Sequence, residues 1–424
     1  MTTDKDIVSA LPVLHIALHN DDGSVFQLES VTREQYVSST IWIYGDKGLE
    51  SVPAKFKGRG YGSWLAKKKN YRIKFEQEHA LLGMPKSRLW CLIAGVWNNK
   101  DWTMLKSHSA FSLSRAVFNK LKYVTQTRMV EVFVNGEYHG VYALSEKIRI
   151  EVNKIDILSQ HNVLDTGYLI NYVWGGHLNR SPAISRFKVE KLKKAPGNNF
   201  RGNDKTEFFV IKSPHVKYFD IKNGIVEKEY LEQAEYIKEK TQALADTLIA
   251  LDFDLLQERV NTPSFIDNLI VQELYKNFDY GKGGCYIYKT PEPPFGDGKF
   301  YAGPPWDFDW TIDNDYRGWA VTIGHGGANP FATYMYAIPE FKERVIRRWK
   351  EVSADVKEFL DSFFIEYLEK PEYEYAFGKN FTHWDRKNQK QAEADWRKSV
   401  LQLWGWLINR VKWFDEEWKE AQQF

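Results

Sequence analysis

Large apolar residues recur two apart through much of the first third of the chain. From Val13 to Leu18, Leu14, Ile16 and Leu18 alternate with His15 and Ala17, which predicts a strand with one buried face. Ser39 to Tyr44 and Tyr71 to Phe75 carry the same alternation. Met129 to Val134 and Tyr138 to Leu144 flank Asn135-Gly136, a pair that tolerates positive φ and is the strongest short signal for a two-residue hairpin turn. One helix is predicted within this region, from Met104 to Leu121, where Leu105, Phe111, Leu113, Val117 and Leu121 fall at roughly helical spacing. Leu11 to about Ile157 therefore reads as strand-rich.

The period then changes. Ala195 to Asp204 is a loop by composition and is the expected boundary zone, and after it spacings of three and four dominate. Thr262-Pro263 is placed to cap and start a helix whose Phe265, Ile266, Leu269, Ile270 and Leu274 form one apolar face. Trp396, Val400, Leu403, Trp404, Leu407, Val411 and Phe414 predict a long amphipathic helix at the end. The expected class is α+β in two lobes with a cleft: residues 1–200 strand-rich and residues 201–424 mainly helical. A length of 424 residues, more than one core usually serves, fits that division.

Composition narrows the chemistry. Lys plus Arg number 58 against 56 Asp plus Glu, so no global field steers the chain to nucleic acid or acidic lipid, and any basic site is local. A mean hydropathy of -0.50 and the lack of an apolar run of about 18 residues exclude an integral span. Aromatics are 15% of the residues, which suits first a large core and also a cleft lined for glycan or peptide. Two cysteines, Cys91 and Cys285, allow at most one bridge and no cysteine zinc site. The ten histidines show no His-Glu-x-x-His spacing and no Gly-x-Ser-x-Gly elbow is present, which sets aside metalloprotease and serine hydrolase.

The most informative stretch runs from Glu273 to Trp310. A helix ends near Lys276, and Asn277-Phe278-Asp279 leads into the glycine-rich turn Gly281 to Gly284 and a strand, Tyr286 to Lys289. A Pro/Gly loop and a second strand around Phe300 to Ala302 follow, before Pro305-Trp306-Asp307-Phe308-Asp309-Trp310. Such a hairpin brings its ends together, so Asp279 and Asp307 are expected to be neighbours. Like charges that close call for a cation, and carboxylates with phosphate oxygens are what magnesium takes. Out of context, Asp279 is equally a turn cap, and Asp307 and Asp309 equally two solvated acids on one strand face. Phe56 to Trp64, with three glycines and followed by Lys67-Lys68-Lys69, reads as a turn that allows close approach to an anion, or as a plain tight turn beside a solvated charge run.

These residues resemble the spore-coat CotH kinase family, atypical protein kinases. The resemblance runs in order through Lys57-Gly-Arg-Gly60 with Ser63-Trp64, Lys68 to Phe75, Leu81 to Lys86 and Phe133 to Tyr142 with Glu146-Lys147. It continues through Gly167 to Ile170, Asn277-Phe278-Asp279 and Pro305 to Asp309. It implies a two-lobed, kinase-like fold and transfer of the γ-phosphoryl group of ATP, with Mg2+ or Mn2+, to serine of a protein substrate. It also implies Asp279 as catalytic carboxylate, Asp307 as metal ligand with Asp309 auxiliary, and Arg59, Lys68, Lys69 and Glu146 facing the nucleotide. Export or a cell-surface location is the expectation that goes with the family. The chain departs from the family pattern at Lys106-Ser107, where an Arg-Asn pair is usual, and at Gly284, where an asparagine usually holds a second metal. The alternative this opens is a catalytically silent surface protein that binds glycan or protein through an aromatic-rich cleft.

Overall fold

The computed structural model describes residues 11–45, 49–60, 62–95, 101–173, 183–190, 192, 208–215, 228–281, 283–309, 311–312, 315–322, 329–385 and 387–420. The boundary loop expected from Ala195 to Asp204 lies outside the described residues. The architecture is α+β, strand-rich towards the N-terminus and helical towards the C-terminus. The described residues form two compact units that are discontinuous in sequence. One takes in residues up to Ser112, Thr125–Lys147 and Phe359–Trp406; the other takes in Leu113–Val124, Ile148–Glu358 and the chain from Leu407 on.

The first unit is built on β1 (Val13–His19), β2 (Val37–Tyr44), β3 (Leu49–Arg59), β4 (Asn70–His79), β5 (Ser87–Ile93), β6 (Thr127–Val134) and β7 (Glu137–Glu146). They form a closed barrel in the order β1-β2-β3-β4-β5-β7-β6, shut by a parallel pairing that sets Val13 to Ile16 against Glu131 to Val134. Closure leaves no strand edge to protect. The alternation read in the sequence is the inside-outside alternation of this barrel: Leu14, Ile16, Leu18, Ile41, Phe56, Ile73, Phe75, Trp90 and Leu92 point inward and are buried together. The interior is therefore filled by side chains. Asn135 and Gly136 both have positive φ, +51° and +86°, the geometry a two-residue hairpin turn demands.

Helix α1 (Lys106–Val117) is shorter than expected at both ends. Its start is fixed by Asp101, whose carboxylate accepts from the backbone N–H of Thr103, Met104 and Lys106 at 3.0–3.2 Å. The first unit also holds a later helix, Pro371–Asp385, described below as α7. Its Asn380 side-chain oxygen accepts from the Val141 N–H at 3.0 Å, and its Trp384 indole donates to the His139 carbonyl at 3.1 Å.

His139 is enclosed by Tyr71, Tyr142, His383 and Trp384. Burial first, then the Lys68 and His383 charges, hold its imidazole down at about 3. The folded state thus refuses a proton that the unfolded chain accepts below about 6.5, so this contribution to stability is complete above that pH and is lost as pH falls towards 3. Between pH of about 6.5 and about 4.5 the loss is expected to reach roughly 2–3 kcal/mol from this one group. Urea midpoints measured across that range should fall less steeply for His139→Gln than for the native chain; parallel slopes would contradict the assignment.

The second unit holds β8 (Tyr168–Val173), β9 (Arg186–Phe187), β10 (Phe208–Ser213), β11 (Cys285–Lys289) and β12 (Phe300–Ala302), an antiparallel sheet in the order β12-β11-β8-β10-β9. Every residue of β8 is buried, as a central strand covered on both faces should be. Around it run α2 (Lys228–Ala250), α3 (Phe253–Arg259), α4 (Thr262–Leu274) and α5 (Pro330–Ala337). Helix α6 (Pro339–Glu369) and, after α7, helix α8 (Gln389–Glu420) contribute residues to both units. Among the described residues no helix is long and apolar enough to cross a membrane. Cys91 and Cys285 are both buried free thiols, so the one bridge that arithmetic allowed is not formed.

Helix α4 departs from its sequence reading twice. Its N-cap is Asn261, not Thr262: the Asn261 side chain accepts from the Ser264 N–H at 3.1 Å, and Thr262 already belongs to the first turn. It is also buried all round rather than along one face. Its charged and amide residues are given partners: Asp267 takes Arg348 at 2.8 Å, Asn268 takes the Tyr280 hydroxyl at 2.8 Å, and Gln272 takes Asn277 at 2.8 Å, while the Thr262 hydroxyl is buried without one. A helix with this composition can be a core element only because other chain segments supply those partners.

Candidate active site

The candidate carboxylates sit where α4 ends and the β11–β12 hairpin begins and closes. After α4, Lys276 turns the chain with φ of +45°, and its amine donates to the carbonyls of Asp315 and Arg317 at 2.8 and 2.9 Å. Asn277 comes next and is fully buried. Its side-chain oxygen accepts from the Asp279 N–H at 3.0 Å, while its amide group donates to Gln272 at 2.8 Å and reaches the Trp306 carbonyl at 3.4 Å. One side chain therefore holds the backbone of Asp279 and that of the residue before Asp307. An isolated antiparallel bridge between Asn277 and Thr311, and a bond from Ile312 N–H to the Tyr275 carbonyl at 3.2 Å, tie the same two segments together.

Gly284 lies between them. A Cβ at this position would stand 3.0 Å from the Trp306 carbonyl oxygen, 3.3 Å from Asp307 Cβ and 3.7 Å from the Asp279 carbonyl oxygen. Asp279 and Asp307 thus flank one point, as the hairpin argument expects, and both are half-buried, reachable from solvent. Asp309 is half-buried two residues on. Asp307 itself adopts a left-handed φ of +59°, uncommon for residues other than glycine although aspartate and asparagine take it more readily than most, and such residues cluster at functional sites. Trp306 and Phe308 on either side of it are buried, with Phe308 edge-on to Tyr275 at 5.4 Å, so the Asp307 carboxylate is carried out of a hydrophobic anchor.

The backbone of Gly284 does not itself demand glycine, because its φ is not in the left-handed range. A Cβ here would press on the Trp306 carbonyl at 3.0 Å, so a side chain needs that carbonyl to give way by a few tenths of an ångström. Gly284→Ala is therefore expected to lower stability by about 1–3 kcal/mol through overpacking, measured by urea denaturation. A stabilising effect, as when an alanine merely stiffens the unfolded chain, would show that the Trp306 segment moves aside freely.

Next to the site lies a buried ion pair that no local sequence pattern signals. Glu273 on α4 and Arg410 on α8 are both almost fully buried and bonded at 3.3 Å. The Glu273 carboxylate also accepts from the N–H groups of Ala320, Val321 and Thr322 at 2.7–2.9 Å, and Arg410 donates to the Tyr316 and Gly318 carbonyls. This pair fixes the segment that follows Asp307 and Asp309.

Residues 55–414 match the family described as CotH kinase protein, which is most of the chain. The chain belongs to the CotH kinase family. No curated protein is a significant match.

The four residues that the CotH pattern assigns to the nucleotide all lie in the barrel unit. Lys68 is buried, and its amine donates to the carbonyls of Ala94 and Val141 and to the Asn380 side chain while lying 4.3 Å from the Tyr142 ring centroid. An ammonium has three hydrogens to give, and these acceptors take all three. Burial pushes its pKa well below the usual lysine range. Lys69 donates to the Trp64 and Ala66 carbonyls and lies over the Trp64 ring, holding the turn before β4. The glycine run is also explained locally. A Cβ at Gly58 would strike the Trp64 ring at 2.2 Å, so the space that glycine leaves is filled by tryptophan, and Phe56 to Arg59 belong to β3 rather than to a turn. Arg59 ends β3, half-buried, opposite Asn70 on β4. Glu146 ends β7, fully buried, and accepts from the Gln126 N–H at 3.2 Å. Lys106, at the family's usual arginine, is buried beside Asp101.

Among the described residues no group of three or more His, Cys, Asp or Glu side chains is arranged to hold a metal ion by itself. The donor set at Asp279 and Asp307 fits a cation of another kind: magnesium typically takes one or two carboxylates and completes its octahedron with waters and substrate phosphates.

Proposed function

We propose that this CotH chain is an ATP- and divalent-metal-dependent protein kinase with a two-lobed, kinase-like fold, acting on serine of a protein substrate. The observation that carries the reading is the convergence of Asp279 and Asp307 on the point occupied by Gly284, in a chain of this family. Bound ATP with Mg2+ or Mn2+ would supply the phosphoryl group and the charge that offsets the two acids. Asp307, with Asp309 near it, is the proposed metal ligand, its left-handed backbone fixing the carboxylate's direction. Asp279, its N–H held by Asn277, is proposed to orient the serine hydroxyl and accept its proton. Arg59 and Glu146 are the proposed nucleotide-facing groups, whereas Lys69 acts through the turn it holds and Lys68 through the strands and the Asn380 side chain it ties together, rather than through direct phosphate contact. The test is transfer of label from γ-labelled ATP to phosphoserine in a mixed acceptor protein, with native chain and Asp279→Asn side by side. Transfer that is equal in both would remove Asp279 from the chemistry.

A second reading is favoured by Gly284 itself. With the Trp306 carbonyl 3.0 Å from a Cβ there, the second-metal asparagine of the family pattern has no room without a backbone shift. That suits a silent relative that binds glycan or protein. Metal-dependent ATP binding separates the two readings.

A further inference from the structure

The outer face of the β3–β4 ladder is a grid of cations. On β3, Lys55, Lys57 and Arg59 alternate with the inward-facing Phe56 and Gly58; on β4, Arg72 and Lys74 alternate with Tyr71, Ile73 and Phe75. The register sets Lys55 directly opposite Lys74 and Lys57 directly opposite Arg72. Like charges facing each other across a ladder destabilise it, by roughly 0.2–1 kcal/mol for each pair. No carboxylate lies within ion-pair distance of Lys55, Lys57, Arg72 or Lys74 among the described residues. Glu34, which acts on Lys57 through space, is paired with Arg33 at 3.7 Å. Tyr36 stands among them, with Lys57 and Lys74 4.6 and 5.7 Å from its ring centroid and its hydroxyl facing Arg72. The Arg72 Nε is buried without a hydrogen-bond partner.

Lysines placed on a sheet to block strand addition have no such task here, because β3 and β4 are interior strands of a closed barrel. The repulsion is instead what an anionic partner would relieve. Cations on alternate residues of one strand repeat about every 6.5–7 Å, which is also the repeat of alternate side chains in an extended peptide. We infer that this face docks an extended acidic segment of a protein partner, with carboxylates on alternate residues lying over Lys55, Lys57, Arg72 and Lys74. The inference does not depend on phosphoryl transfer, since binding is read directly.

The test uses the full chain and a fluorescein-labelled peptide of about ten residues alternating glutamate and serine, followed by anisotropy. Saturable binding is expected, weakening as sodium chloride rises from about 0.05 to about 0.2 M, and absent for the glutamine-serine counterpart. Lys57→Gln/Lys74→Gln should lose at least about tenfold in affinity while its melting temperature does not fall, because the substitutions remove repulsion. Lys55→Gln, at an exposed side chain, should lose affinity to a smaller degree and serves if the double variant misfolds. No saturable binding, or binding indifferent to these substitutions, overturns the proposal. So does tighter binding of an oligothymidylate, or displacement of the peptide by ATP, either of which would reassign the face to a nucleic acid or a nucleotide.

Discussion

Arg410→Met is expected to cost the fold about 3–5 kcal/mol, because it leaves a buried carboxylate without its cation. Arg410 is completely buried, lies against the rings of Trp413 and Phe414, and makes five polar contacts to Glu273, Tyr316 and Gly318. Methionine fills much of the same volume, so the loss reports the polar contacts rather than a cavity. Glu273→Gln/Arg410→Met should recover part of the loss, since the buried negative charge is then gone. Equilibrium urea denaturation of the three proteins measures this. A loss under about 1 kcal/mol for Arg410→Met would mean that the segment from Asp315 to Thr322 is held by other contacts.

The second large effect separates the two acids. Asp307→Asn should weaken metal-dependent ATP binding by an order of magnitude or more, roughly the size expected when a carboxylate ligand is lost. Asp279→Asn should bind ATP as the native chain does and yet lose transfer by about 10²–10⁴-fold, the usual worth of a positioned general base. Isothermal titration with ATP and Mg2+, beside the labelled transfer assay, gives both quantities. Matched losses of binding in both variants would mean that the two acids share one role.

The hairpin from Met129 to Leu144 was legible because its turn chemistry is local: Asn135-Gly136 dictates both the turn and, through it, the register. The strands β1, β2 and β4 were legible from alternation, and β11 and β12 from the glycine-rich turn and Pro/Gly loop that bound them, to within a few residues. That they close into a barrel was not, since closure depends on one parallel pairing between β1 and β6, which no local pattern encodes. The sequence of helix α4 shows one apolar face, Phe265 to Leu274, yet its polar Asp267, Asn268, Gln272 and Glu273 are buried as well. Their partners Arg348, Tyr280, Asn277 and Arg410 are reached only through the tertiary fold.

At the site, the nearness of Asp279 and Asp307 followed from hairpin logic alone. The part of Asn277 in holding both segments did not, though its place two residues before Asp279 was in view. The glycine run before β4 admits two readings for a physical reason. A glycine announces that something comes close to the backbone, but not whether it is a ligand or, as at Gly58, a tryptophan ring of the same chain.

Whether Asp279 and Asp307 form a nucleotide–metal site is read out by a thermal-shift titration of the full chain with ATP, with and without Mg2+ or Mn2+. Ligand at about a hundred times its Kd adds roughly 2.7 kcal/mol to the stability of the folded state, a rise of a few degrees for a chain of this size. A rise that needs both nucleotide and cation, and that Asp307→Asn abolishes, is what the account predicts. No rise at millimolar ATP with either metal, in a protein that melts cooperatively, would contradict it and leave the silent binding protein as the better reading.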